Sequence, residues 1–285
     1  MASMRDIKRR KESVASTGQI TKAMKLVSTV KLQKAKARAE ANQPYFTMLY
    51  ETICSVLARA GNVDHRYLKE RESSRKAVIA ITSNRGLAGG YNNNIVKEIT
   101  NTFSPEETDI YALGRKGLES LSRKGYHIAE DYSEVMNDPL FADAIQIGKQ
   151  VLTAYEEGEV GEIYLAYTLF KNTVVQEARL VKLLPFNVDD VLQDKEIDPL
   201  TPMNFEPVEE EALDMLIPKY INNIIFGAFI EAIASENGAR MQAMDSATKN
   251  AEEMIEDLSL MYNRARQGAI TQELTEIIAG ADAIS

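Results

Sequence analysis

Cysteine, histidine and long apolar runs are all scarce in this chain of 285 residues. The single cysteine, Cys54, excludes an internal disulfide, and its neighbours Ile53 and Val56 favour a buried structural thiol. His65 and His127 have no Cys, Asp or Glu at ligand spacing, so we expect surface or loop residues and no metal site. No apolar run approaches the roughly 20 residues of a transmembrane helix, and the N-terminus lacks the apolar core of a secretory signal. We therefore expect a cytosolic protein with no transmembrane segment of its own.

Residue patterns for catalysis are missing too. Arg85–Gly90 is rich in glycine and lies between a predicted strand and a predicted helix, where a phosphate-binding loop would be found. No Lys-Ser or Lys-Thr follows the glycines, and the spacing fits neither the P-loop nor the dinucleotide pattern. A tight turn that needs the positive φ of glycine is the simpler interpretation. We nominate no catalytic residue and no cofactor, and a nucleotide-binding α/β protein with coiled-coil arms stays open as the alternative.

Basic residues are concentrated at the N-terminus. Residues 1–38 hold 11 Lys and Arg against Asp6 and Glu12, a net charge of +9, whereas the remaining 22 basic and 40 acidic residues give −18. Such a run is either a solvated face or a surface for an acidic partner. Nucleic acid is a common partner of basic segments, but no aromatic residue precedes Tyr45 to stack on bases and the isoelectric point is about 5.0. We therefore expect no nucleic-acid partner.

The N-terminal region predicts one long helix. Ser3 can cap its start, and good helix formers followed by an apolar pattern carry it past Pro44 to Gly61. Apolar residues spaced by 3, 4 and 3 predict a seam on this helix: Ile20, Ala23, Val27 and Val30.

The C-terminal region predicts a second, longer helix, from Val208 to the end of the chain. Its apolar residues alternate at spacings of 3 and 4, which is the pattern of a coiled-coil seam: Met244, Ala247, Ala251, Met254, Leu258, Met261 and Ala265. The positions between them are mostly polar. Because the seam is narrow, we expect it to pack against one helix, and the N-terminal helix is the natural partner.

Strands and helices alternate in the middle of the chain. We predict strands at 77–82, 109–113 and 125–129, helices at 95–103, 115–123 and 139–156, and a hairpin over 162–168 and 173–184. The alternation is typical of an α/β layer. The predicted class is α/β, with a central Rossmann-like domain between the two helices of a long antiparallel coiled coil. The predicted division is an N-terminal coiled-coil helix at 1–61, a central α/β domain at 76–184 and a C-terminal coiled-coil helix at 208–285. A linker rich in Pro, Asp and Asn, at 185–207, joins the last two.

The central domain lies between two helices that pair with each other. The chain runs to the domain along the first helix and back along the second, so the two helices must be antiparallel. The C-terminal helix is the longer, so its last turns lack an obvious partner within the chain. Their apolar residues are Ile270, Leu274, Ile277, Ile278, Ala281 and Ile284. An unpaired apolar helix end predicts a socket in another protein.

Three segments resemble one known family. RDIKRRKESVASTGQITKAMKLVSTVKL at the N-terminus, TSNRGLAGGYNNNI in the middle and YNRARQGAITQELTEIIAGADA at the C-terminus are similar to the gamma subunit of F-type ATP synthases. The resemblance implies a non-catalytic central-stalk rotor that couples ion flow through the membrane c ring to ATP synthesis or hydrolysis. It implies the alpha and beta subunits, the epsilon subunit and the c ring as partners. With no mitochondrial transit segment before the first motif, it implies a peripheral location at the cytoplasmic face of a bacterial plasma membrane.

The same resemblance implies the site residues. Met24 and Lys25 match the position beside an acidic loop of the beta subunit, although the family commonly has an acidic residue where Lys25 stands. The remaining matches lie on the C-terminal helix, where Arg266 and Gln267 correspond to a pair that hydrogen-bonds to a beta-subunit loop. Positions that affect coupling correspond to Arg240, Thr271 and Glu273. A solvated helix charge is the other interpretation of Arg240.

Overall fold

The computed structural model describes residues 4–60, 65–69, 71–186 and 209–282. The helices are α1 (Met4–Ala60), α2 (Tyr91–Thr102), α3 (Arg115–Arg123), α4 (Phe141–Glu156) and α5 (Glu209–Asp282), and the strands are β1 (Lys76–Ile81), β2 (Thr108–Leu113), β3 (His127–Asp131), β4 (Glu162–Phe170) and β5 (Gln176–Leu184). Short 3-10 turns occupy Pro105–Glu107 and Ser133–Asn137. Every predicted strand and helix is present, and α1 continues through Pro44 as predicted.

The five strands form one sheet in the order β3-β2-β1-β4-β5. The first four are parallel, and β5 pairs antiparallel with β4 as the predicted hairpin requires. Because neighbouring strand residues point to opposite faces, β1 supplies both cores. Val78 and Ala80 pack with α2 and α3, whereas Ala77, Ile79 and Ile81 pack with α4 and α5. The sheet is therefore covered on both sides, which confirms the α/β class.

Close packing joins the ends of β1 and β2. The Thr82 hydroxyl lies 3.1 Å from the carbonyl oxygens of Leu113 and Gly114 and accepts a hydrogen bond from the Gly117 N–H at 2.9 Å. Gly114 has a φ of 102°, and a Cβ there would lie 2.2 Å from the Thr82 carbonyl oxygen. Only glycine fits this position, because the obstacle is backbone and cannot rotate away.

The described chain divides into two compact units. One contains Met1–Ser28 and Arg240–Ser285, and the other contains Thr29–Ala239. The boundary falls inside both long helices rather than at the predicted limits of 61, 76, 184 and 208. That four-part division stays a prediction, and most of its linker, from residue 187 on, lies outside the described residues.

The first unit is an antiparallel helical pair. Lys25 contacts Asp245, Thr21 contacts Thr248 and Gly18 approaches Ala251, so residue numbers rise on one helix as they fall on the other. The predicted direction of the pair is confirmed.

The seam residues differ from the prediction on α1. Ile20, Val27 and Val30 are 58%, 57% and 65% exposed, and Ala23 is exposed as well. The buried or half-buried positions are instead Val14, Gly18, Thr21, Lys25 and Ser28. The spacing of 4, 3, 4 and 3 is that of a coiled coil, but the side chains are small or polar. The predicted period was correct and the predicted face was wrong, because small residues let the backbones approach closely enough to bury polar positions.

On α5, every second residue of the predicted seam is buried or half-buried as expected. Met244, Ala251 and Leu258 are buried and Ala265 is half-buried, but Met254 and Met261 are more than half exposed. The seam passes instead through Thr248, Ile255 and Tyr262, which are half-buried. Ala247 is half-buried beside it.

The end of α5 is exposed from Arg266 to Ala279. Ile270, Leu274, Ile277 and Ile278 make no buried contact among the residues that the structure describes, as predicted for the unpaired helix end. The side chain of Ala281 and all of Ile284 lie outside the description. One 18-residue stretch of α5 has a mean hydropathy of 1.2, and half of it is buried inside the protein, as expected for a core helix.

Replacing Gly114 with alanine should destabilise the sheet unit by at least about 3 kcal/mol, because the added Cβ meets backbone and the φ is unfavourable. Gly125 is the matched control, with a φ of 87° and no atom within 4 Å of an added Cβ. Gly125→Ala should cost only about 1 kcal/mol. Urea unfolding followed by circular dichroism measures both, and equal losses would contradict the packing argument.

Candidate partner interface

The first group of predicted contact residues lies on α1 beside the seam. Met24 is half-buried, and the Lys25 side chain is 41% exposed. Lys25 Nζ lies 2.5 Å from Asp245 Oδ1, and Lys249 Nζ lies 3.0 Å from Asp245 Oδ2. One carboxylate therefore holds a lysine from each helix.

The two lysines act on the acidity of Asp245. The hydrogen bond from Lys25, followed by that from Lys249, holds the pKa of Asp245 below its ordinary value. A lowered carboxyl pKa means that the ion pair is complete above the ordinary aspartate pKa and is lost as the pH falls through the lowered one. The pair is therefore intact at neutral pH.

Two hydroxyl groups meet one turn away on the seam. Thr21 Oγ1 and Thr248 Oγ1 are 2.8 Å apart, and each also lies within hydrogen-bonding distance of a carbonyl oxygen of its own helix. At the next seam position, a Cβ built on Gly18 would lie 3.4 Å from the Ala251 Cβ. These contacts are polar or small throughout.

The second group lies near the end of α5. Arg266, Gln267, Thr271 and Glu273 are all exposed. At a rise of 1.5 Å per residue, Arg266 lies about 30 Å along α5 from Asp245. The structure therefore separates the two groups of predicted contacts into two zones of the same helical pair.

Arg240 belongs to neither exposed group. It is 8% exposed, so the interpretation as a solvated helix charge is wrong. Burying a guanidinium is costly unless it is paired, and Arg240 interacts with other groups of the chain.

An exposed apolar stripe on α1 was assigned from the sequence to the seam with α5, and its residue Leu26 was not identified. It consists of Ile20, Leu26, Val27 and Val30, and it lies among the exposed basic residues Lys22 and Lys31. The small residues Gly18, Thr21 and Ser28, at coiled-coil spacing, were the available sign that the seam lay on the other face. Apolar side chains left exposed in this number indicate a partner.

The glycine-rich turn after β1 is held by its own residues. The Ser83 N–H donates to Asn92 Oδ1 at 2.9 Å, and the Ser83 hydroxyl donates to the Arg85 carbonyl at 2.6 Å. Asn84 Nδ2 donates to the Ser133 carbonyl at 2.8 Å. Gly89 has a φ of 57°, as the turn interpretation predicted. The Ser83 and Asn84 polar groups are thus engaged in shaping this turn.

His65 is buried rather than on the surface. Its Nδ1 accepts from the Tyr67 N–H at 3.3 Å, and its Nε2 lies 2.9 Å from Asp214 Oδ1. Nε2 therefore ties the segment after α1 to α5, while Nδ1 holds the local turn of that segment. His127 is exposed, with Nδ1 2.8 Å from Asp109 Oδ1. Within the described ranges, no group of three His, Cys, Asp or Glu side chains is placed to hold a metal ion.

A helical pair with exposed apolar side chains on α1 and at the end of α5, in a chain with a covered α/β sheet, is typical of proteins that act through contacts with other chains. Residues 3–284 match the family model described as ATP synthase. An ATP synthase gamma chain from Lachnoclostridium phytofermentans is 64% identical over 100% of both chains. A sodium-ion-specific gamma chain from Acetobacterium woodii is 39% identical over 99% of both chains.

Solved structures give the same fold. A chain of the Euglena gracilis mitochondrial ATP synthase, from a structure described as OSCP/F1/c-ring, aligns with a TM-score of 0.69 at 20% identity and covers 99% of this chain and 94% of that one. A chain from the Tetrahymena thermophila central stalk and c ring aligns with a TM-score of 0.56 at 24% identity, covering 80% of this chain and 99% of that one. The chain belongs to the ATP synthase gamma chain family.

Gly18 offers a test of the close seam. Because an added Cβ would make ordinary contact with Ala251, Gly18→Ala should be tolerated and should gain up to about 1 kcal/mol from helix propensity. Gly18→Leu should force the helices apart and lower the melting temperature. Gly268→Ala, at an open position of α5, reports the propensity gain alone. Thermal unfolding of the full chain measures all three, and a stable Gly18→Leu variant would show that the seam is loosely packed.

Proposed function

We propose that this chain is the non-catalytic rotor of an F-type ATP synthase at the cytoplasmic face of a bacterial plasma membrane. The observation that carries the proposal is the antiparallel helical pair with two exposed contact zones, in a chain that belongs to the gamma chain family. The pair enters a ring of three alpha and three beta subunits, and the α/β unit joins the epsilon subunit and the c ring. The solved relatives that contain F1 and the c ring support this set of partners.

Coupling follows from unequal contacts. A pair of helices has no threefold symmetry, so at any angle it touches the three beta subunits differently. A contact that favours one nucleotide state of a beta subunit shifts that subunit's nucleotide affinity. By reciprocity, the nucleotide state of the ring favours one angle of the pair. One coupling free energy therefore links the angle of the helical pair to the nucleotide affinities of the beta subunits.

The first contact zone meets an acidic loop of the beta subunit. Met24 and Lys25 lie beside the exposed stripe of Ile20, Val27 and Val30, and α1 is strongly basic. Complementary charge guides the encounter and disfavours wrong partners. The Lys25 ammonium remains partly exposed beside Asp245, so it keeps access to a second acidic group.

The second contact zone is the end of α5. Arg266 and Gln267 are exposed donors placed to hydrogen-bond to a beta-subunit loop, with Thr271 and Glu273 one to two turns further on. The apolar residues Ile270, Leu274 and Ile277 lie in an apolar socket formed by the alpha and beta subunits, where their burial would stabilise the assembled complex. Arg240 affects coupling from within the protein, as a buried charge of the helical pair.

Single-molecule rotation tests the function directly. With an alpha and beta hexamer fixed to a surface and a bead on the α/β unit of this chain, ATP should drive stepwise rotation in one direction. Binding without rotation would leave a scaffold role. If the chain fails to bind the hexamer and instead binds ATP alone, with binding abolished by Gly89→Val, the nucleotide-binding alternative would replace the rotor.

Met24→Lys tests the first contact zone. An added charge beside the acidic loop should strengthen one contact of the rotation cycle more than the others, so fewer ions are pumped for each ATP hydrolysed. Inverted vesicles with the assembled enzyme measure ion uptake and hydrolysis together. Met215→Lys, at an exposed position of α5 in the sheet unit, is the matched control and should leave the ratio unchanged. Equal ratios for parent and Met24→Lys would remove the assigned contact.

A further inference from the structure

Between residues 18 and 28, α1 contributes small or polar side chains to the seam of the helical pair. Large apolar side chains normally interdigitate in a coiled coil, and a slip then exposes them. Here α1 contributes Gly18, Thr21, Lys25 and Ser28 to the seam. These α1 side chains are small or polar, so they interlock less than large apolar ones would with Met244 and Leu258 of α5. A further contact that depends on register therefore adds to the selection of the observed one.

The ion pair between the helices supplies a selective contact. Lys25 Nζ and Lys249 Nζ approach different oxygens of Asp245, at 2.5 and 3.0 Å. The two lysines have different roles, because Lys249 lies on the same helix as Asp245 and only Lys25 crosses the seam. The Lys25 contact therefore depends on register, whereas the Lys249 contact does not.

A slip of one seam step would break this contact in either direction. A shift of four residues one way would place Lys25 opposite Met241, which offers no charge. The same shift the other way would place it opposite Lys249, where like charges repel. Of these three registers, only the observed one pairs Lys25 with a carboxylate.

We propose that Lys25 and Asp245 are positioning residues whose ion pair fixes the register of α1 on α5. The consequence for coupling rests on the proposed function. A slip of four residues moves α1 by about 6 Å along α5, so the spacing between Met24 and the pair Arg266 and Gln267 would change by more than a hydrogen bond tolerates. The ion pair thus sets the distance between the two contact zones.

Disulfide trapping measures the register without any reference to coupling. Cysteines at Thr21 and Thr248, whose hydroxyls are 2.8 Å apart, report the observed register in a Cys54→Ser background. Cysteines at Thr21 and Met244 report the slipped one. Both pairs are tested in the full chain and in the assembled complex under mild oxidation.

The informative variants differ at a single ion-pair partner. Lys25→Ala should slow cross-linking at 21 and 248 about threefold, the size expected for loss of one partly exposed ion pair, and should speed cross-linking at 21 and 244. Lys25→Asp should have a larger effect, since two carboxylates would then face each other. Lys25→Arg should restore the parent rate. Lys249→Ala is the matched control, because it removes a contact with the same carboxylate and should leave both rates unchanged.

A charge exchange provides the sharpest result. Lys25→Asp with Asp245→Lys, in the Lys249→Ala background, should restore cross-linking at 21 and 248 while either reversal alone does not. Equal rates for Lys25→Ala and Lys249→Ala, or no recovery in the exchange, would overturn the proposal.

Ion pumping per ATP in the same complexes separates this inference from the proposed function. The ratio should fall with Lys25→Ala and recover with Lys25→Arg. A changed register with an unchanged ratio would uphold the ion pair's role and contradict the proposed contact zones. An unchanged register with a reduced ratio would contradict the ion pair's role in the register and uphold the proposed contact zones.

Discussion

The close contact of two helices through small and polar side chains is the interaction on which the first unit depends. Gly18 against Ala251 and Thr21 against Thr248 bring the backbones together through small and polar side chains of α1. The apolar side chains of that helix are consequently left on its outer face. The same choice of residues thus creates a narrow intramolecular seam and a surface for other chains.

The second unit depends on a different constraint. Its sheet is buried on both faces, so each strand must alternate between two cores, and the turns at the strand ends must be tight. Thr82 and Gly114 meet this requirement with backbone contacts that exclude any side chain at residue 114. The Ser83 and Asn84 bonds do the same for the glycine-rich turn. Residues that resemble a ligand site in the sequence serve here to complete a fold.

The period of a helix can be predicted from sequence more securely than the face it buries. Ile20, Val27 and Val30 have the spacing of a seam but are exposed rather than packed on α5, and under the proposed function a partner covers them. Hydrophobic patterning reports that a side chain leaves water in the assembled state, and it does not report which chain covers it. Met254 and Met261 were misplaced for the same reason. The sheet was predicted well because its partners are all within one chain, whereas the pairing of Lys25 with Asp245 joins residues 220 apart and could be seen only in the structure.

The exposed apolar side chains have a consequence for how a cell must make this protein. Under the proposed function, other subunits cover the stripe on α1 and the end of α5, so a chain synthesised in excess would leave both exposed. Such a surplus chain would associate with itself or be degraded, since exposed apolar surface of this kind promotes aggregation. The cell must therefore match the synthesis of this chain to that of the subunits that cover it. Assembly then protects the chain from aggregation in addition to giving it its function.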